Sequence, residues 1–270
     1  MGRHDTISFL SDYGLVDEFV GVVKSVVRGI APHVAVIDIT HDIAPHDVRA
    51  GSLALVRSVQ YLAPGVVLAV VDPGVGTDRR AVAVEVGEEG EAVFVGPDNG
   101  LLASAVSMVG GARRAVSLTS VEHHLPALGP TFAGRDVFAP AAAHLCNGVD
   151  LGELGDAVDP VTLLPGVLPL AREEDGVVHA EVLWVDRYGN AQLNVGPEDI
   201  SAFGERISLR WGADEVRIGT RSATYGLLKT GQVGMIVDSY GLVSIALDRQ
   251  SAAAQLRLRP GDAVQLAEPT

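Results

Sequence analysis

Over its first two thirds this 270-residue chain alternates β-branched runs with apolar stripes at helical spacing, and that alternation restricts the fold more than anything else in the sequence. Ile7 to Leu10 runs into the turn-prone Ser11-Asp12-Tyr13-Gly14. After it Val16, Phe19, Val20, Val23, Val26, Val27 and Ile30 recur at the period of an amphipathic helix. Pro32 stops that helix, and Val34 to Ile39 reads as a second strand. Val48 to Leu62 carries a second helical stripe through Ser52, Leu55, Val56, Val59 and Leu62, and Val66 to Val71 is a third strand. Ala81 to Val86 and Ala92 to Val95 read as further strands, with helices starting near Asn99 and near Asp136. Such alternation buries a mostly parallel sheet between two helical layers, so residues 1–165 are expected to form an N-terminal three-layer α/β domain.

From about Gly148 the texture changes. Pro160, Pro165 and Pro169, followed by Arg172-Glu173-Glu174-Asp175, read as a surface connection between two bodies. Beyond them come short strands separated by turns: Val177 to Val185, Ala191 to Val195, Ile207 to Trp211, Glu215 to Ile218, Gln232 to Val237 and Leu242 to Leu247. Residues 166–270 are therefore expected to form a C-terminal antiparallel β-barrel-like domain.

Charge excludes whole classes of partner. With 20 Lys+Arg against 34 Asp+Glu the formal balance is −14, and no basic run is present to hold a nucleic acid or an anionic membrane surface. A small polar or cationic ligand suits such a chain better. Cys146 is the only cysteine, which excludes an intramolecular disulfide and a multi-cysteine metal site and fits a reducing cytoplasm. The apolar run Val66 to Val71 is too short to span a bilayer, and Ile7 to Tyr13 is too short and too polar to be a secretory h-region. A cytoplasmic protein is the expectation.

In open α/β sheets ligands bind beyond the carboxyl ends of the strands, so polar residues just after strands are the first candidates. Four groups qualify: Asp12 and Asp17; His41, Asp42 and His46; Asp72 to Arg80; and Pro97-Asp98-Asn99-Gly100. Any one of them alone reads as a helix cap or turn. Together, as acidic strand ends along one edge, they read as a site. The two glycines of Asp72-Pro73-Gly74-Val75-Gly76-Thr77-Asp78-Arg79-Arg80 lack the patterns of a dinucleotide or P-loop cradle. An acid with an arginine seven residues on, across a glycine turn, instead suggests a charge pair that keeps Asp72 ionised and orients a water. His41, Asp42, His46 and Asp47, and the pair His123-His124, have no recognised metal spacing, and no Gly-x-Ser-x-Gly elbow is present.

Read in order, Ser11-Asp12-Tyr13-Gly14, Asp72 to Thr77 with Arg79-Arg80, Pro97-Asp98-Asn99-Gly100, Thr131-Phe132-Ala133-Gly134-Arg135-Asp136-Val137-Phe138-Ala139-Pro140 and Asp186-Arg187-Tyr188-Gly189-Asn190 resemble the S-adenosyl-L-methionine (SAM) hydroxide adenosyltransferase family. These SAM hydrolases are related to the fluorinase and chlorinase. The resemblance implies a homotrimer binding SAM between the N-terminal domain of one subunit and the C-terminal domain of its neighbour, with SAM as substrate, adenosine as product, and neither cofactor nor metal. It places Asp12 on the ribose diol, and Asp17, His46, Thr131, Phe132 and Gly134 in the substrate site. It puts Tyr225 on the adenine face, Asn190 and Ser239 near the adenine edge, and Asp186 near the methionine ammonium. A carboxylate accepts two hydrogen bonds from a vicinal diol, which gives Asp12 an independent reason to be acidic.

The implied chemistry is hydrolysis of SAM to adenosine and L-methionine by in-line attack of water on C5′. Family members use an Asp-Arg-His set around that water; Asp72 and Arg79 match the first two, and Ala133 stands where the histidine is expected. Losing an imidazole costs on the order of 10²–10⁴ in rate if it is a general base, and little if it only positions solvent. Related halogenases lack this Asp and Arg, and an ionised Asp72 repels halide, so hydrolysis is favoured over chloride transfer. Ala133 keeps a third alternative open, a SAM- or adenosine-binding protein without turnover.

Overall fold

A computed structural model describes residues 4–87, 91–213 and 215–269. The chain divides into two compact units, residues 1–167 and 168–270.

The first unit is built on a seven-stranded sheet. Its strands are β1 (Thr6–Ser11), β2 (Ala35–Thr40), β3 (Gly65–Val70), β4 (Ala81–Val86), β5 (Ala92–Pro97), β6 (Ala112–Ser117) and β7 (Asp156–Val158), in the order β2-β1-β3-β5-β4-β6-β7. The run β2-β1-β3-β5 is parallel, and β4, β6 and β7 add antiparallel pairs. β1 and β3 are buried along their whole length, as continuous apolar runs in a doubly covered sheet should be.

Helices cover both faces. Val20, Val23 and Val27 of α1 (Phe19–Ile30) pack with Phe138, Ala142 and Leu145 against Ile7, Phe9 and Leu68 on one face. On the other, Leu55 of α2 (Val48–Ser58) and Ala105 of α3 (Ala103–Met108) cover Leu10, Val67, Ala69 and Phe94. The expected helix near Asp136 begins as a π-helical turn, Gly134–Phe138, that feeds α4 (Ala139–Cys146) with Pro140 in its first turn.

The second unit is a closed barrel. It comprises β8 (Arg172–Glu174), β9 (Val177–Val185), β10 (Ala191–Leu193), β11 (Arg206–Trp211), β12 (Glu215–Arg221), β13 (Val233–Val237), β14 (Val243–Leu247) and β15 (Ala263–Ala267). The ladder β10-β14-β13-β12-β11-β15-β9 is closed by pairing of β9 with β10, and β8 lies outside β9. Val182, Leu193, Ile207, Leu209, Ile245 and Leu266 fill its interior.

Two sequence expectations are corrected. Arg172, Glu173 and Glu174, expected as part of a connection, form an exposed strand paired antiparallel with β9. The barrel is not wholly antiparallel either: β12 and β13 run parallel, since the excursion between them returns the chain to the same end. The short helix α5 (Ala252–Leu256), capped by Ser251 Oγ on the Ala254 amide, precedes β15.

Candidate active site

The parallel strands β1, β2, β3 and β5 all deliver their carboxyl ends to one edge of the sheet, and the candidate loops follow from that direction. A cavity of about 240 Å³ lies there, lined by Asp12, Tyr13, Phe19, Pro45, His46, Asp72, Val75, Thr131, Ala133 and Gly134. It is several times the ~30 Å³ that a water occupies in the liquid. Of the candidates in this unit, Asp12, His46, Asp72, Thr131 and Gly134 line it directly. Arg79 joins it through Asp72. Phe132 stands behind it, its ring 5.6 Å from that of Tyr13 and 5.0 Å from that of Phe19, both edge-on. Asp17 is exposed and outside the lining.

Asp72 and Arg79 form the charge pair expected from their spacing. Arg79 Nε donates to Asp72 Oδ1 at 2.9 Å, and Nη2 donates to Oδ2. Their side chains are only 6% and 12% exposed respectively, so neither charge has bulk water as an alternative partner. The loop between them folds on itself, with the Val75 amide donating to Asp72 O and the Thr77 amide and hydroxyl both donating to Gly74 O. Arg79 also lies 5.4 Å from the Phe138 ring centre, which closes one side of the guanidinium.

Asp12 is fixed across loops. Its Oδ2 accepts the His46 amide at 2.9 Å, and His46 adopts the left-handed backbone (φ 69°) to present that amide. Non-glycine residues enter that region at a cost and mostly where local geometry demands it. Behind Asp12 runs a polar chain that starts buried and ends at the surface: Ser11 Oγ lies 2.8 Å from His41 Nδ1, His41 Nε2 lies 3.1 Å from Asp38 Oδ1, and Lys24 Nζ donates to Asp38 Oδ2 at 2.6 Å. The residues around it take other roles: His41 joins this chain, and Asp47 caps α2 through the Ala50 amide. Among the described residues no group of three or more His, Cys, Asp or Glu is arranged to hold a metal.

Asp98 is a structural acid. It accepts Arg80 Nε at 2.8 Å and the Leu164 amide at 2.8 Å, at the border of a mainly apolar cavity lined by Val82, Val84, Leu102, Val106 and Leu163.

The barrel carries a further cavity, of about 650 Å³, and all four candidates from this unit line it: Asp186, Asn190, Tyr225 and Ser239. Asp186 organises its own turn, with Oδ1 accepting the amides of Tyr188 and Asn190 at 2.8 and 2.9 Å and Oδ2 accepting Asn190 Nδ2 at 2.8 Å. Ser239 follows Asp238 in a turn that this acid organises, accepting from Gln192 Nε2, Ser244 Oγ and the Tyr240 amide. Burial, followed by the charges of Asp238 and Asp186, raises the Tyr225 phenol above its ordinary pKa, so the ring is presented neutral.

Tyr13 was not among the sequence-derived site residues, although it follows Asp12 at a strand end, which was the available signal. Burial first, and then the charges of Asp12 and Asp72, push its phenol well above 10.

Both units match models of a single family: residues 7–155 the SAM hydroxide adenosyltransferase N-terminal domain, and residues 180–265 its C-terminal domain. The chain belongs to this family. Proteins named (R)-S-adenosyl-L-methionine hydrolase from Salinispora tropica and Thermus thermophilus are 42% and 41% identical to it, over 96% of this chain and 97% and 98% of theirs. A fluorinase from an Actinoplanes species is 26% identical over 94% of this chain and 95% of its own. A solved structure of an uncharacterized conserved protein from Thermotoga maritima superposes with a TM-score of 0.88 at 32% identity, covering 97% of this chain and 100% of that one. The chain is thus an enzyme of this family by similarity over nearly its whole length, and the hydrolases are nearer to it than the fluorinase.

Proposed function

We propose that this protein hydrolyses SAM to adenosine and L-methionine. The observation that carries the reading is the buried Asp72–Arg79 pair on the wall of the cavity that also presents Asp12. The sulfonium leaves as a neutral thioether, so no acid is needed; the reaction needs a water aligned with the C5′–S bond and shielded from competitors. Asp72, with its charge fixed by Arg79, accepts a hydrogen bond from that water and takes up the proton it loses as C5′–O forms and the C5′–S pair returns to sulfur. Asp12 keeps an oxygen for the ribose diol, since only Oδ2 is engaged by the His46 amide.

The acidic barrel cavity, with a neutral Tyr225 beside Asp186 and Asn190, suits an adenine ring and a cationic amino-acid tail. Because the candidate groups divide between two units, a homotrimer in which one subunit's ribose side meets its neighbour's adenine side is part of the proposal. So written, the reaction draws on no cofactor or resident metal. The lone buried Cys146 supports a reducing, cytoplasmic location.

The test is chromatography of products from purified protein and each sulfonium epimer of SAM, in chloride and in chloride-free buffer. Adenosine and methionine in equal amounts, independent of chloride, is the expected result. Chloride-dependent 5′-chloro-5′-deoxyadenosine replaces hydrolysis by halide transfer, and tight binding without product leaves a binding protein.

A further inference from the structure

We infer that Tyr13 is a positioning residue whose hydroxyl holds the attacking water against Asp72, in the space beside Ala133. The inference rests on the proposed SAM hydrolysis. Tyr13, Asp12, Asp72, Thr131, Ala133 and Gly134 line one cavity, and its two hydroxyls are those of the exposed Thr131 and of Tyr13. Its ring is locked, edge-on to Phe132 at 5.6 Å and tilted on Phe19 at 5.7 Å, so the oxygen cannot swing away.

The backbone that carries it is equally constrained. The Tyr13 amide donates to Ser11 Oγ at 3.3 Å, and the Gly14 amide to His41 O at 2.8 Å, tying the loop after β1 to the buried Ser11–His41 pair.

The hydroxyl also has a defined place. Tyr13 Oη lies against the Gly134 backbone, and the phenol carries one proton to donate and lone pairs to accept. The acceptors on the same wall are the carboxylates of Asp12 and Asp72. A residue with a side chain at 134 would collide with this oxygen: a Cβ built there falls inside the van der Waals radius of Tyr13 Oη, and within 3.0 Å of Cζ. Gly134 therefore exists to admit the hydroxyl to the cavity wall. Facing two carboxylates and out of bulk water, the phenol stays protonated at neutral pH, so it acts as a donor and an anchor rather than as a base. Water attacks C5′, the C5′–S pair goes to sulfur, and the proton passes to Asp72. Tyr13 only fixes the water's place, a task an imidazole at 133 would otherwise perform.

The test is a kinetic double cycle with the parent, Tyr13→Phe, Ala133→His and the double variant, reading kcat, KM for SAM, and the melting midpoint. Losing one preorganised hydrogen bond at a reacting oxygen costs roughly 10²-fold in rate. Tyr13→Phe is therefore expected to lower kcat by about that factor with KM within about twofold, since the ring remains. Ala133→His should raise the rate of Tyr13→Phe roughly tenfold or more and that of the parent by less than about threefold, again on the scale of one positioned group. A kcat for Tyr13→Phe within twofold of the parent overturns the inference, as does an equal effect of Ala133→His in both backgrounds. If Tyr13→Phe fails to fold, Tyr13→Trp in the same cycle asks whether ring packing without a hydroxyl at this place sustains kcat, and sustained kcat overturns the inference. A parent that yields no adenosine from SAM fails on the control, removing the hydrolytic reading and this inference with it, and is distinguishable from the other outcomes.

Discussion

Gly134→Ala should destabilise the N-terminal unit, and Tyr13→Phe should relieve much of that cost. Gly134 is buried in the π-helical turn before α4, and the nearest atoms to an added Cβ all belong to Tyr13: Oη inside contact distance, Cζ at 3.0 Å and Cε2 at 3.2 Å. Tyr13 cannot retreat cheaply, because Phe19 and Phe132 hold its ring. Overpacking a filled core costs about 1–3 kcal/mol, and a colliding side chain pinned by two rings puts this site at the upper end. Replacing glycine by alanine within a helical turn returns up to about 1 kcal/mol. The net loss is about 2 kcal/mol, or roughly 4–8 °C in melting midpoint for a domain of this size. In the Tyr13→Phe background the oxygen is gone and only the ring carbons stand near the Cβ, so the same substitution should cost less than about 1 kcal/mol. Thermal melts of the four proteins of this cycle, followed by circular dichroism, measure the coupling. Equal losses of midpoint in both backgrounds would refute the claim that Gly134 is small because of the Tyr13 hydroxyl.

Further outcomes follow from the same geometry. Arg79→Met, which strands a nearly buried Asp72 carboxylate, should cost about 3–5 kcal/mol in urea denaturation, while Asp72→Asn with Arg79→Met should cost less; equal costs would mean the pair is solvated. Asp12→Ala removes the acceptor offered to the ribose and should raise KM for SAM by roughly 10²-fold, at about 1.5–3 kcal/mol per charged hydrogen bond, while adenosine loses its competitive inhibition; an unchanged KM would detach Asp12 from the substrate. Burial, and then the neighbouring His123, hold the imidazoles of His124 and His144 below the ordinary 6.5. The unfolded chain therefore takes up protons first, so stability is full above pH 6.5 and falls as pH drops toward the folded values. His144→Gln should flatten that fall in melts between pH 7.5 and roughly pH 5, and an unchanged slope would remove His144 from the effect.

The α/β order was legible because β1 and β3 are continuous buried apolar runs, β2 is a β-branched run even though it is largely exposed, and helix α1 shows its stripe plainly. Other elements left little trace. β6 carries Arg113 and Arg114 mid-strand, where Glu85 and Asp150 pair them, so its apolar pattern is interrupted by charges that only the fold satisfies. β8 is Arg-Glu-Glu with no buried side chain, and α5 is five residues long, below the length at which helical periodicity can be read. In the site, Asp72 and Arg79 were legible from their spacing across a glycine turn. Asp12 was legible as a strand-end acid. Tyr13 was not, because its meaning depends on Gly134, which lies 121 positions further along and meets it only through the packing of α1 against the π-helical turn.

A strand at the rim of a sheet offers unpaired amides and carbonyls to any other chain that can align with it. In the barrel, closure between β9 and β10 removes that rim, leaving only the charged three-residue β8 outside. The N-terminal sheet ends in β7, three residues long, and in β2, whose Ala35-Val36-Ile37-Asp38-Ile39 would be an unbroken sticky strip but for one residue. Asp38, tethered to Lys24, forces any incoming strand to bury a charge. The acid that links His41 to Lys24 behind the site thus also sets a charge on the open edge of the sheet.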